Sequence, residues 1–370
     1  MKIIHLSYAH MTEQHDPEAW LKKINFFVKL LEQMAKHEEV KSIHCISYSR
    51  VINRNNVEYH FLNFSRFQVL LPFELNNYVR QLQPDVVIVH GFHFPLKVLL
   101  LRWTLGSQVK IIIQYHAEKP LRHYKRILQK IVDRHVSAYF FTARDQVDPW
   151  IAERQITDPN KIHEVMEVPS VFYPVNKSDA CIRTKVSSSK NYLWVGRLDA
   201  NKDPLTLIKA FIKFSVTNPR VHLYVIFQSD ELMEETKMQV ASSTTETQIT
   251  LVGKVEHDEL LYWYNSVDFI ISTSHFEGSG IAVCEGMSCG AIPILTNIPS
   301  FRKMTGRGNC GLLFEAGNVD GLVNALQKSL EMDVELEREK TLSQYSTNLS
   351  AEAIAEKMIH VSRQITGIMN

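Results

Sequence analysis

The stretch from Phe269 to Leu295 constrains the fold more than any other part of the chain. An apolar run, Phe269-Ile270-Ile271-Ser272-Thr273, leads into His275-Phe276-Glu277-Gly278-Ser279-Gly280-Ile281-Ala282-Val283-Cys284-Glu285-Gly286-Met287-Ser288-Cys289-Gly290. A second apolar run, Ala291-Ile292-Pro293-Ile294-Leu295, follows. The order strand, glycine loop, short helix, strand predicts a βαβ unit with its loop at the carboxyl end of the first strand. Open parallel sheets bind ligands at that edge. The loop's free N–H groups and the helix N-terminus suit an anion. Glu277 lies in the loop, and Glu285, about one turn into the helix, can point back to the same place.

Strand and helix signals alternate along the rest of the chain. Lys2 to Ser7 reads as a buried strand, Glu18 to Ala35 as a helix, Ser42 to Ser47 as a strand and Phe73 to Gln83 as a helix. Asp85 to His90 and Lys110 to His116 are β-branched runs that each end in histidine. Leu121 to Val136 is a basic amphipathic helix, and Ser137 to Thr142 another strand. After a segment with little periodicity, Tyr192 to Val195, Val221 to Phe227, Ile249 to Val252 and Asp268 to Thr273 read as strands, with a helix over Pro204 to Phe214. This predicts the α/β class with mostly parallel sheets. A chain of 370 residues is too long for one core. We therefore expect a first domain over 1–173, a linker over 174–190, a second domain over 191–346 and a C-terminal segment, 347–370, whose helix Ser350 caps and which crosses back to the first domain.

Hydrophobic residues at 45% and charged residues at 22% match an ordinary soluble globular protein. A net charge of +1 argues against nucleic acid as a partner. Cys45, Cys181, Cys284, Cys289 and Cys310 lack metal-ligand spacing and read as reduced thiols of a cytoplasmic protein. Met1 to Ser7 makes a poor signal peptide. The apolar run at Val98 to Leu101 is broken by Lys97 and Arg102, too short for a membrane span.

The second domain opens with Val195-Gly196-Arg197-Leu198-Asp199-Ala200-Asn201-Lys202-Asp203-Pro204. Arg197 as a bidentate fork and Lys202 as a point charge can neutralise a diphosphate at a strand's carboxyl end. Ordinary surface cations are the plainer alternative, and the glycine loop in the same domain tips the choice. A phosphate cradle flanked by carboxylates suits a sugar nucleotide, whose hydroxyls need acceptors.

Gly196-Arg197-Leu198 with Lys202, and Glu277-Gly278-Ser279-Gly280 with Glu285, resemble the retaining glycosyltransferases of family 4. The Glu-x7-Glu spacing is that family's signature, and Gly286 to Gly290 with Pro293 is similar to its continuation. Leu251-Val252-Gly253-Lys254-Val255 and Cys310-Gly311-Leu312-Leu313-Phe314 also fit. The resemblance is strong from about Tyr192 to Leu330 and architectural before that. It implies the GT-B fold: two Rossmann-like domains with parallel sheets facing a central cleft. It also implies roles. Arg197 and Lys202 hold the donor diphosphate, assisted by Gly196 and by the backbone of Ser279, Gly280, Ile281 and Ala282. Glu285 accepts from the ribose, Glu277 contacts the donor sugar, and Gly253, Lys254 and Val255 lie against the base. His116 matches the family's first-domain histidine near the sugar–phosphate junction, and His90 and His93 are candidates for the acceptor side.

Three departures stand out. Ser7 to Glu13 has no glycine where the family has a glycine-rich loop, Val168-Pro169-Ser170 replaces an Asn-Gly turn, and Asp203 replaces a glycine. The resemblance implies a hexosyltransferase-type enzyme that uses a nucleotide-diphosphate sugar as substrate, with a glycan, lipid-linked or small-molecule acceptor. No cofactor is expected, and the absence of an Asp-x-Asp motif in a suitable loop predicts no metal. Arg122, His123, Lys125, Arg126, Lys130 and Arg134 on the basic helix, with Trp103 nearby, allow either a solvated face or peripheral contact with an anionic membrane. The alternatives to transfer are a nucleotide-sugar epimerase of similar architecture and a catalytically silent sugar-nucleotide binding protein.

Overall fold

A computed structural model describes residues 1–368 apart from 12, 187–189, 246 and 247. The chain divides into two compact units. One comprises Met1–Pro169 together with the C-terminal helix Ala351–Thr366, and the other Ser170–Ser350.

The first unit holds eight strands: β1 (Lys2–Met11), β2 (Glu39–Ile46), β3 (Arg50–Arg54), β4 (Val57–Leu62), β5 (Val86–His90), β6 (Lys110–Gln114), β7 (Ala138–Phe141) and β8 (Ile162–Glu164). Their order is β3-β4-β2-β1-β5-β6-β7-β8, parallel except for β3. Ile3, Ile4 and Leu6 of β1, Val86 to Val89 of β5 and Ile111 to Ile113 of β6 are buried in unbroken runs. Continuous apolar runs of this kind belong to a parallel sheet covered by helices on both faces. The Asn55-Asn56 turn, both residues at positive φ (49° and 64°), closes the β3–β4 hairpin. The C-terminal helix packs on helix Asn25–Met34, and Arg363 Nε donates to Glu38 Oε1 at 2.7 Å.

The second unit carries β9 (Lys190–Gly196), β10 (Val221–Phe227), β11 (Ile249–Gly253), β12 (Phe269–Ser272), β13 (Ile292–Thr296) and β14 (Leu312–Phe314). The order β11-β10-β9-β12-β13-β14 is wholly parallel. Adjacent β9 and β12 are therefore followed by neighbouring loops at one sheet edge.

Several sequence expectations change. The segment 174–190 is not a plain linker: helix Lys177–Thr184, N-capped by Asn176, packs on helix His257–Ser266, with Thr184 Oγ1 and Ser266 Oγ 2.7 Å apart. Its serine run lies outside the described residues, and the units part at Pro169 and Ser170. The first strand runs on through the glycine-free segment to Met11, with a register shift between Leu6 and His10. The helix expected over Glu18 to Ala35 breaks at Ile24 into Pro17–Lys23 and Asn25–Met34. The Ser350 hydroxyl donates back to Ser346 O at 3.0 Å.

The first unit also buries histidines. Burial, then the charge of His44, lowers His5 to about 3, and burial lowers His44 to about 4. Both fold as neutral rings, so below pH 6.5 the unfolded chain binds more protons and stability falls as the pH drops. The loss accumulates from pH 6.5 down to the folded values, and for each ring it grows by about 1.4 kcal/mol for every pH unit crossed. His116, whose proton affinity is raised in the fold, acts in the opposite sense. We expect the melting temperature of the first unit to fall steadily between pH 6.5 and pH 4 in a circular-dichroism titration.

Candidate functional site

In the second unit, three hydrogen bonds stitch the loop after β9 to the loop after β12. Asn201 Nδ2 donates to Phe276 O at 3.0 Å, His275 N to Asn201 O at 2.8 Å, and Thr273 Oγ1 to Lys202 O at 2.6 Å. The stitching places the Lys202 ammonium in an ion pair with the Glu277 carboxylate. Arg197 stays largely exposed, its guanidinium 3.0 Å from Asp199 Oδ2. Lys202, Glu277, Gly280, Ala282 and Phe301 line part of one small recess.

Gly280 caps helix Ile281–Ser288 from a left-handed conformation (φ 64°). A Cβ at this position would lie 2.5 Å from Phe301 Cε1, so both backbone and space require glycine. Ile281 and Ala282 occupy the first helical positions, whose N–H groups a helix leaves without an internal partner. The loop can therefore present N–H donors beside Lys202.

Glu285 is buried and already engaged: it accepts from Tyr264 Oη at 2.9 Å and pairs with His257 Nε2 at 2.9 Å. The hydrogen bond to Glu285 raises the proton affinity of His257 against the pull of burial, with smaller help from the charges of Glu285 and Asp258. The His257 ring also lies 4.9 Å from that of Phe172. Gly253 (φ 84°) ends β11, Lys254 is exposed and Val255 half-buried. Asp203 takes a left-handed conformation (φ 47°), which accounts for the glycine expected there. Its carboxylate accepts from Thr206 N as a helix cap and meets His275 Nε2 at 3.1 Å.

In the first unit, His116 follows β6 and His90 ends β5. His116 Nδ1 pairs with the Glu167 carboxylate, and His116 Nε2 lies 3.0 Å from His90 Nδ1. His90 Nε2 in turn lies 3.1 Å from His5 Nδ1. Buried Glu118 accepts from His116 N and Phe92 N, each at 2.7 Å, and a Cβ at Gly91 would come within 2.8 Å of its Oε1. His93 is parted from this group: it is exposed, and its carbonyl accepts from Lys125 Nζ at 3.3 Å. His5, Glu118, Glu167, His257 and Tyr264 are thus site neighbours that the sequence reading missed. Tertiary contact alone brings them in, and the sole local hint was Glu118, two residues after His116.

The whole chain superposes on solved structures. It matches sucrose-phosphate synthase of Thermosynechococcus elongatus with a TM-score of 0.70 at 18% identity, covering 100% of this chain and 99% of that one. It matches Anabaena HepE in complex with UDP with a TM-score of 0.73 at 13% identity, covering 98% and 100%. Residues 182–349 match the family model for glycosyl transferases group 1. The chain has the GT-B fold, and its residues 182–349 are similar to a group 1 glycosyltransferase domain. Among relatives of this domain, the GDP-mannose:cellobiosyl-diphosphopolyprenol alpha-mannosyltransferase of Xanthomonas oryzae pv. oryzae is 25% identical over 159 residues, 42% of this chain and 41% of the relative. Glycogen synthase of Mycobacterium tuberculosis is 24% identical over 271 residues, 68% of this chain and 61% of the relative. The aligned stretch spans about two fifths of the length of the two alpha-mannosyltransferases.

Two of the left-handed residues of the second unit, Gly280 and Asp203, lead to contrasting predictions. Gly280→Ala adds strain of about 1–2 kcal/mol from the backbone alone, before Phe301 is displaced. We expect a melting temperature lower by several degrees, at about 2–4 °C per kcal/mol. Asp203→Gly relieves backbone strain while losing a cap, and should stay within about 1 kcal/mol of the parent.

Proposed function

We propose that the protein is a retaining, metal-independent hexosyltransferase acting from a nucleotide-diphosphate sugar on a glycan, lipid-linked or small-molecule acceptor in cell-surface polysaccharide or glycolipid synthesis. The observation that carries this reading is the Lys202–Glu277 ion pair beside the N-terminus of helix Ile281–Ser288. Glycosyl transfer builds negative charge on the departing phosphate and oxocarbenium character at the anomeric carbon. A donor diphosphate takes the Lys202 ammonium, with Arg197 and the N–H groups near Gly280, Ile281 and Ala282 as further donors. Glu277 is then released toward the sugar hydroxyls. Glu285 with its partner His257 serves the ribose, and the turn at Gly253, Lys254 and Val255 serves the base. These cations are the ground for proposing that no metal is required. Relatives whose names specify an alpha-mannosyl product from GDP-mannose support retention and a polyprenol-linked acceptor. The transferase names of the relatives favour transfer over epimerisation or silent binding.

A second surface supports a lipid-linked acceptor. Helix His123–Asp133 buries Gln129 and Asp133 while exposing Tyr124, Ile127 and Ile131, with exposed Trp103 on the adjacent helix Pro95–Leu105. Arg122, Lys125, Arg126 and Lys130 border these apolar groups. Among the described residues no helix is long and apolar enough to cross a membrane. An apolar stripe framed by cations fits peripheral attachment to the anionic inner face of a membrane from the cytoplasm.

Incubation with UDP-, GDP- and ADP-sugars and a lipid extract should reveal transfer that persists in chelator, while a strict divalent-metal requirement would refute the metal-free reading. Arg197→Ala and Lys202→Ala should each lower kcat by about 10²-fold or more, the scale of a lost charge-stabilising donor; full activity in either overturns the diphosphate assignment. Neutralising Arg122, Lys125 and Arg126 together should weaken binding to phosphatidylglycerol vesicles about 100-fold, at about 1 kcal/mol per cation. Unchanged sedimentation with the vesicles rejects membrane attachment.

A further inference from the structure

We propose that Glu167 and His90 are positioning residues for His116, gripping both nitrogens of its ring so that His116 meets a ligand as a held cation rather than as an N–H donor. The relevance to catalysis rests on the transfer reading above; the arrangement itself rests on geometry. Glu167, His116, His90 and His5 form one hydrogen-bonded line from the edge of the sheet into its interior. His116 does not satisfy local carbonyls, because each of its nitrogens is taken by a side chain. A phosphate or hydroxyl can reach either nitrogen only by displacing Glu167 or His90.

The line has two complete directions. With His116 neutral, its Nδ1–H donates to Glu167, His90 Nδ1–H donates to His116 Nε2, and His5 Nδ1–H donates to His90 Nε2. A proton added to His116 reverses the rest: His116 Nε2–H donates to His90 Nδ1, and His90 Nε2–H donates to His5 Nδ1. His5 Nε2, at the far end, is buried without a partner among the described residues, so both directions terminate there.

The charges around the line favour a cation at its head. Glu167 and Glu118 face His116, whereas His90 and His5 face each other and His44 of β2 with no carboxylate among the groups that shift them. Burial lowers the proton affinity of His116, but the hydrogen bond and charge of Glu167 and the charge of Glu118 outweigh it, leaving it raised. Burial, then the charges of His116, His5 and His44, holds His90 well below the ordinary histidine value. The added proton therefore stays on His116, between its two grips.

The test uses the full chain labelled with ¹⁵N-histidine, and long-range proton–nitrogen spectra recorded without substrate. His116 should titrate as an imidazolium above the ordinary histidine value. Glu167→Gln should move that titration down by about one pH unit or more, the effect of removing an adjacent opposite charge. The basic limb of kcat/KM should move down with it, giving about 10-fold lower kcat/KM at alkaline pH with the plateau at lower pH retained. His90→Phe should lower kcat with KM little changed, and His90→Gln, whose carbonyl can accept from His116 Nε2–H, should restore it. An unmoved His116 titration in Glu167→Gln, or a His90→Gln protein as poor as His90→Phe, overturns the proposal. A parent protein that shows the expected titration yet transfers no sugar tells against glycosyl transfer and supports the line.

Discussion

Parallel strand direction is the constraint on which the rest of this structure depends. Each strand of β9 to β14 returns through a crossover, so every carboxyl end opens at the same sheet edge. Residues far apart in sequence, Lys202 and Glu277, become an ion pair because their loops follow neighbouring strands. The same rule acts in the first unit, where His90 ends β5 and His116 follows the adjacent β6. The loops carry the chemistry; the strand direction gathers it.

Backbone geometry then sharpens what the loops can present. At Gly280 a helix begins with no side-chain cap, and Ile281 and Ala282 take its first positions. At Asp203 the opposite choice is made. The residue adopts a left-handed conformation and its carboxylate turns to Thr206 N and His275. An acidic group close to Lys202 in sequence is thereby occupied by a helix terminus and an imidazole.

The sequence made the alternating strand-and-helix architecture legible. Uninterrupted β-branched runs announce strands buried on both faces, and Asp85 to His90 and Lys110 to His116 show it well. The short edge hairpin went unread although Asn55-Asn56 is a turn signal, because neither flanking run is long or uniformly apolar. Helix Lys177–Thr184 was hidden for a different reason. Its sequence is polar, with Ala180 its buried residue, and its stability comes from contact with helix His257–Ser266. Side-chain partnership was least legible. Glu285 stood out as a candidate carboxylate, but its engagement by Tyr264 and His257 depends on how one helix lies on another. The histidine line likewise joins residues 5, 90, 116 and 167, a pattern with no local spacing to betray it.

The hairpin that escaped the sequence also settles how the first sheet ends. β3 is the outermost strand on its side and runs against its neighbour. It is five residues long, most of it exposed, with arginines at both ends. A second molecule approaching to extend the sheet meets a short rung bearing Arg50, Asn53 and Arg54 rather than a long apolar template. Brevity and positive charge are the means by which β-proteins discourage edge-to-edge aggregation. The hairpin therefore acts as a stopper on a sheet whose interior strands, left bare, would be highly adhesive.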